Sequence, residues 1–345
     1  MPQLILFSYQ QSLDEQRSTY RPIAGRNAQD LSSTANLAAS VTKEASIQTY
    51  LTIRYLVDTQ LVDDAYRAYA YFRWVDDSLD DGQMDETERL AFLARQQEIV
   101  LQCYQGKWPH GLCPEENLVA DLIHSDLDRA GHEEKIGLRY YINHMMEVMA
   151  IDAGRRDHLI SQEELTEYTR LLATAVTEAM HYFIGHDDAA PQDETRYLAV
   201  TGAHITHMLR DAIEDAAVGY YNIPKSYLET HSIAPEDVDH VAYRTWVRSQ
   251  VELARNYFAT GRAYMARVEN LRCRLAGYAY IARFEVVLEA IENENYFLRP
   301  AYPERKSTKA RLKMGLRALA QTIISSLPGC QIPIPGFIPS VEMPK

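Results

Sequence analysis

The chain has 345 residues, a formal net charge of −13 and a hydrophobic share of 46%. That share is ample for a sizeable core, in one large domain or two ordinary ones. The charge argues against a nucleic-acid partner, because no basic stripe is offered to phosphates. Any anionic substrate must meet local arginine and lysine, or bound metal, against an unfavourable overall field.

In chain order, residues 1–27 carry little periodicity and read as an extended arm. The opening MPQLILFSYQQSLDEQ lacks a basic region, and its apolar run is too short for a signal peptide. No stretch approaches the roughly eighteen uninterrupted apolar residues of a transmembrane span. From Asp30 to Arg299 apolar residues recur at spacings of three and four, and strand-like alternation is nearly absent. The pattern predicts helices over 30–42, 44–58, 61–81, 85–105, 115–130, 133–153, 161–186, 193–218, 236–270, 272–297 and 305–327. Ser161-Gln-Glu-Glu164 has the form of a capping box, and Pro235-Glu-Asp reads as a first helical turn. The tail from Pro328 is too rich in proline for helix and reads as an irregular strap. The expected organisation is an arm at 1–27, one all-α helical bundle at 28–327 and a Pro-rich tail at 328–345. Cys103, Cys113, Cys273 and Cys330 show no C-x-x-C spacing and are expected to be reduced thiols of a cytosolic protein.

Two of these helices end in acid. LVDDAYRAYAYFRWVDDSLDD is apolar or aromatic around most of its circumference, as in a helix buried within a bundle, and closes with Asp76, Asp77, Asp80 and Asp81. MLRDAIEDAAVGYYNIP sets Asp211, Glu214 and Asp215 ahead of a Gly-Tyr-Tyr turn and Pro224. Positions four apart share a helix face, so Asp76 points with Asp80 and Asp211 with Asp215. Like charges at that spacing cost about 0.2–0.5 kcal/mol per pair on an exposed helix. The cost grows with burial unless a cation sits between the carboxylates. One D-x-x-x-D alone is a weak signal. Two, each with an arginine close by (Arg73 and Arg210), point to a divalent-metal site for a polyanionic substrate. Carboxylates are hard ligands suited to Mg²⁺, which shares its shell with substrate phosphates. Arginine matches phosphate oxygens in a bidentate fashion.

These residues carry a resemblance. Over roughly residues 45–312 the chain resembles the squalene/phytoene synthase family, the head-to-head prenyl diphosphate synthases of the all-α isoprenoid synthase fold. FRWVDDSLD is similar to the family's first Arg-x-x-Asp-Asp-x-x-Asp signature, and LRDAIEDAAVGYYNIPKSYL to its second. SIQTYLTIRYL and NYFLRPAYPERKSTKARL support the match. The resemblance implies an Mg²⁺-dependent enzyme with a central cavity that joins two prenyl diphosphates 1′–1, farnesyl or geranylgeranyl diphosphate. The route passes through a cyclopropyl diphosphate to a C30 or C40 hydrocarbon and releases pyrophosphate. NADPH enters only where the product is reduced, and this sequence leaves that open.

By the same resemblance, Asp76, Asp80, Asp211 and Asp215 bind metal and, with Tyr168, belong to the catalytic set. Arg73 and Arg210 hold diphosphate. Ser46, Tyr50 and Arg54 fall in an upstream segment used near diphosphate, and Tyr168 and Glu178 on a helix lining the cavity. Phe72, Trp74, Tyr69, Tyr71 and Tyr182 are candidate π faces for a carbocation. The chain departs from the family pattern at His204 and His207, where amide side chains are usual, and at Gln48 and Phe284. His207, Asp211 and Asp215 stand at i, i+4 and i+8, so His207 joins the expected metal set and His204 the substrate-facing one. Imidazole favours a softer ion, which makes Mn²⁺ an alternative to Mg²⁺. The plainer alternative is that both histidines are hydrogen-bonded cavity residues. Lys306, Lys309, Arg311, Lys313 and Arg317 form the one basic stretch, either a solvated face or an attraction to an anionic membrane surface. Two other readings stay open: a terpene synthase that ionises and cyclises a single donor, and a non-enzymatic, lipid-binding family member. The oligomeric state is not readable.

Overall fold

The computed structural model describes residues 28–80, 82, 84–129, 136–186, 188–303 and 307–327. The expected arm and tail, with Asp81, Lys306 and Cys330, lie outside the described residues. The chain divides into two compact units, Met1–Ile136 and Gly137–Lys345, and each is built almost entirely of helix.

The first unit holds α1 (Ala28–Ala45), α2 (Ile47–Leu56), α3 (Val62–Leu79), α4 (Glu86–Tyr104) and α5 (Glu116–Arg129). The break between α1 and α2 falls at Ser46, whose extended backbone and side-chain oxygen cap the amide of Thr49. α3 packs against α1, α2 and α5 and carries the unit's core in Ala65, Ala68, Ala70, Tyr71, Phe72, Val75 and Leu79. Its alanines suit close helix approach. Its one buried polar stripe is neutralised internally, where Asp64 accepts from Arg67 at 2.7 Å, Arg129 at 2.6 Å and Ser125 at 2.9 Å. α4 opens with a reciprocal capping box between Asp85 and Glu88.

The second unit holds α6 (Gly137–Arg155), α7 (Gln162–Phe183), α8 (Leu198–Ala217), α9 (Lys225–His231), α10 (Val241–Arg267), α11 (Leu271–Asn293) and α12 (Thr308–Ser325). α8 lies at its centre, packed on α7, α10 and α11. Glycine makes the α8–α10 crossing close: a Cβ at Gly261 would stand 2.9 Å from Ala199 Cα. Phe258, Ile281, Leu288 and Val247 are fully buried in the surrounding core. Two short strands, β1 (His158–Leu159) and β2 (Tyr220–Tyr221), pair in parallel and tie the end of α6 to the end of α8.

The Ser161–Glu164 capping box forms as expected. Other boundaries move. Pro235-Glu-Asp is not a first helical turn: Asp237 folds back to accept from the Ala234 amide at 2.7 Å, and α10 starts only after His240. The long patterns 236–270 and 272–297 are separated because Asn270 caps the Cys273 amide at 2.9 Å. The stretch 193–218 opens as a single 3₁₀ turn, Glu194–Tyr197, before α8. α9 was not expected. It is a seven-residue helix that starts after Pro224 and stops where Ser232 turns left-handed. Cys103, Cys113 and Cys273 are free thiols. Among the described residues no helix is long and apolar enough to cross a membrane.

Candidate active site

The first acidic group sits at the C-terminal end of α3, where the apolar circumference gives way to charge. Asp77 and Arg73 are exposed and Asp76 half-buried. Arg73 grips the Asp77 carboxylate with both Nε and a terminal nitrogen, and stands 3.5 Å from Asp76. Desolvation opposes the Arg73 charge, but the Asp77 hydrogen bond together with the Asp77 and Asp76 charges outweighs it and lifts the guanidinium pKa above its ordinary value. Asp80 closes the helix, its amide donating to the Asp76 carbonyl at 3.0 Å. Three carboxylates and one guanidinium therefore share one helix end at the solvent boundary.

The second group is set deeper, on α8. Arg210 holds Asp211 in a bidentate pair, and His207 Nε2 stands 3.7 Å from the same carboxylate. Asp215 accepts from Asn222 at 2.8 Å. Burial, and then the neighbouring Asp211 charge, push the Asp215 carboxyl up to about 7 against the pull of Arg155, Asn222 and Arg210. A chain of hydrogen bonds continues inward. Asn222 accepts from Arg155 at 2.9 Å, Arg155 donates to Asp152 at 2.7 Å, and Asp152 accepts the Tyr168 hydroxyl at 2.9 Å. The Arg155 guanidinium also lies 5.1 Å from both the Tyr168 and Tyr220 ring centres.

His204 stacks on Tyr168, ring centres 5.1 Å apart. Burial, with His207 and Arg155 nearby, holds its imidazole down to about 3, so the ring is neutral. Its buried Nε2 has no hydrogen-bond partner among the described residues. His204 and His207 thus part company: one is a neutral ring inside the unit, the other exposed beside Asp211.

The remaining expected residues fall elsewhere in their units. Tyr50 stacks on Tyr66 at 5.3 Å and, with Arg54, Asp63, Arg67 and Arg129, lines a cleft of about 1050 Å³ in the first unit. Asp63 and Asp76 are about 20 Å apart along α3 at about 1.5 Å per residue. Tyr50 and Arg54 are therefore not gathered with Asp76 and Asp80. Because Tyr50 meets Tyr66 while Arg54 shares a wall with Asp63, α2 runs antiparallel to α3, and Ser46 lies about a turn nearer the acidic end. Glu178 has both oxygens occupied, by Arg196 at 2.8 and 2.9 Å and by the Tyr197 hydroxyl at 3.0 Å. Tyr71, Phe72 and Tyr182 are buried core rings.

The match to a family model decides the relationship: the squalene/phytoene synthase model matches residues 42–314. The chain belongs to the squalene/phytoene synthase family. Solved structures agree in fold. Squalene synthase HpnC from Alicyclobacillus acidocaldarius is 18% identical with a TM-score of 0.62, covering 79% of this chain and 98% of that one. A dehydrosqualene synthase in complex with ligand is 17% identical with a TM-score of 0.64, covering 85% and 97%. At these identities the likeness is one of fold. No protein of curated function matches the sequence.

The family relation makes the fit of a divalent cation a question for these residues. Among the described residues no three His, Cys, Asp or Glu side chains converge as a ready-made metal site. The Asp211–Asp215 pair nonetheless fits Mg²⁺. It offers two carboxylates, hard oxygen donors, on one helix face, and the raised pKa of Asp215, due first to burial and then to the Asp211 charge, marks a cost that a dication would relieve. Waters and diphosphate oxygens complete such a shell in ordinary Mg²⁺ sites. Sequence reasoning passed over Asn222, Arg155 and Asp152, which fix the second group from outside its own helix. Asn222 was visible two residues before Pro224, in the stretch already singled out. Nothing in the sequence marked Arg155.

Proposed function

We propose that the chain is an Mg²⁺-dependent prenyltransferase that condenses two prenyl diphosphates head-to-head through a cyclopropyl diphosphate. Family membership supports prenyl transfer of this kind in general. The observation that carries the finer reading is the half-buried Asp211–Asp215 pair on one helix face beside Arg210, a group of charges suited to a dication carrying diphosphate. The alternative of a non-catalytic lipid binder gives no reason to retain so costly a pair.

In this reading Asp211 and Asp215 on α8 would hold a divalent cation with Arg210 on diphosphate oxygens, and Asp76 and Asp80 on α3 would do so in their own unit with Arg73. Bound Mg²⁺ supplies charge neutralisation for the departing pyrophosphate. The C1–O bond of one donor breaks and its electron pair leaves with pyrophosphate. The allylic cation so formed is attacked by the double bond of the second donor, and loss of a proton closes the cyclopropane. A second ionisation rearranges the ring. The resulting cation ends by proton loss or by hydride from NADPH. Arg155 holds the Asp152 carboxylate in place, so that the Tyr168 hydroxyl is held in one orientation. The neutral His204 ring adds a π face without adding a positive charge that would repel a carbocation.

The test is product analysis. Purified protein is incubated with farnesyl or geranylgeranyl diphosphate, with Mg²⁺ and then Mn²⁺, with and without NADPH, and the extract is weighed by mass spectrometry. A hydrocarbon with twice the donor's carbon number, together with pyrophosphate, supports the proposal. A product of unchanged carbon number would make the enzyme a cyclase. No pyrophosphate from folded protein with either donor would end the reading.

A further inference from the structure

The proton lost on cyclopropane closure needs an acceptor, and the second acidic group leaves few open. Asp152 accepts from Arg155 at 2.7 Å and from the Tyr168 hydroxyl at 2.9 Å. Asp215 accepts from Asn222 at 2.8 Å, and Arg210 grips Asp211 with two nitrogens. In the proposed function both of these carboxylates are also committed to the cation. His207 has half of its side chain in solvent, where water competes for its lone pair. One group in this neighbourhood is left unused. His204 is 7% exposed, and its buried Nε2 has no hydrogen-bond partner among the described residues.

A buried polar nitrogen without a partner costs stability, and a phenyl ring would fill the same place without that cost. The stack on Tyr168, ring centres 5.1 Å apart, requires an aromatic face and no nitrogen. The nitrogen therefore does nothing for the fold. It does stand where the chemistry would pass. His204 lies seven residues before Asp211, so the two share one face of α8. About 10 Å of helix axis separates them at about 1.5 Å per residue. That is the reach of a diphosphate and the first carbons behind it.

We propose that His204 is the proton acceptor of cyclopropane closure, an inference that rests on the prenyl-transfer reading. Once the double bond of the second donor has attacked C1 of the first, C3 of the second carries the positive charge. The electron pair of a C1–H bond then forms the C1–C3 bond, and the proton goes to Nε2 of His204. The imidazolium hands that proton to the released pyrophosphate, a far stronger base, and is neutral again. An acceptor beside a carbocation need not be strong, because such a cation sheds a proton to almost any lone pair. It must be neutral beforehand, dry and close. Burial keeps the His204 ring neutral, with its pKa held down to about 3.

The test compares the full wild-type chain with His204→Phe, which keeps the ring and the stack, and His204→Gln, whose amide takes up no proton. Each is incubated with farnesyl or geranylgeranyl diphosphate and Mg²⁺, and coupled product, prenyl alcohol and pyrophosphate are measured together. Without the acceptor, the coupled cation reverts and water captures the allylic cation. Coupled product therefore falls about a hundred-fold relative to prenyl alcohol in both variants, at the lower end of what one positioned proton acceptor contributes. Pyrophosphate release falls by far less. His204→Phe melts no lower than wild type, since it removes an unpaired polar atom and keeps the stack. A ratio of coupled product to alcohol unchanged in His204→Phe overturns the inference and leaves prenyl transfer intact. So does a loss of pyrophosphate in step with coupled product, which would make His204 a donor-binding group, or a lower melting temperature of His204→Phe, which would give the nitrogen to the fold. A wild-type chain that couples neither donor overturns the prenyl-transfer reading and this inference with it.

Discussion

Replacing Asp215 by asparagine keeps the shape of the second acidic group and removes its electrostatic cost. The Asp215 carboxyl is pushed from 3.8 to about 7, first by burial and then by Asp211. A raised carboxyl pKa means that the folded state holds its proton longer than the unfolded chain. Below about pH 4 both states are protonated and the group costs nothing. As pH climbs toward 7 the unfolded chain ionises first, so the metal-free protein loses stability across that window. About three pKa units at about 1.4 kcal/mol each set an upper limit near 4 kcal/mol above pH 7, reduced by the part of the carboxylate that water still screens. The asparagine oxygen still accepts from Asn222. In chelator at about pH 8, Asp215→Asn should therefore melt several degrees above the wild-type protein, and at about pH 5 the gap should shrink to less than half, since it closes fully only below about pH 4. Mg²⁺ at about a hundred times its dissociation constant should then stabilise the wild-type protein by about 2.7 kcal/mol and the variant far less. Thermal melts by circular dichroism at the two pH values, with chelator or Mg²⁺, read all of this. A variant no more stable than wild type at the higher pH, or equal stabilisation of both by Mg²⁺, would refute the reasoning.

Three further substitutions separate architecture from chemistry. Glu178→Gln strips the anion from Arg196, itself 3% exposed, and should cost about 3–5 kcal/mol in urea unfolding; a contact made only to substrate would change KM and leave the unfolding midpoint in place. Gly219→Ala places a Cβ against the Asp157 carboxylate at a φ of +89°, and should destabilise the β1–β2 junction by about 1–3 kcal/mol in the same assay. Arg155→Met removes the cation between Asp152, Asn222 and the two tyrosine rings. It should lower kcat more than Arg155→Lys, which keeps the charge and loses the planar fork; equal kcat in the two variants would show that only the side chain's bulk matters.

The helices were legible because three-and-four periodicity reports burial directly, and the bundle buries one stripe of nearly every helix. Boundaries set by single side chains were not. Asp237 uses its carboxylate to make a turn where Pro235-Glu-Asp suggested a helix start, whereas the break expected between 270 and 272 does form, at the Asn270 cap. The acidic groups were legible because Asp76, Asp80, Asp211 and Asp215 stand at helical spacing after apolar runs. What surrounds them was not, since Arg155, far along the chain, reaches Asp215 by its charge and through Asn222, and Asp152 is held in turn by Arg155. Glu178, which the resemblance puts on a cavity-lining helix among the substrate-binding residues, has its oxygens taken by Arg196 and Tyr197, neighbours that only the fold brings close.

Pyrophosphate release tests the central claim most directly. Wild-type protein, Asp76→Asn, Asp211→Asn and the double variant are assayed with Mg²⁺ and a prenyl diphosphate donor that the wild-type chain accepts, each shown to be folded. The account predicts that either single substitution lowers release by about a hundred-fold or more, because each withdraws charge needed to draw out the leaving group. Release from the double variant at the wild-type rate would contradict it.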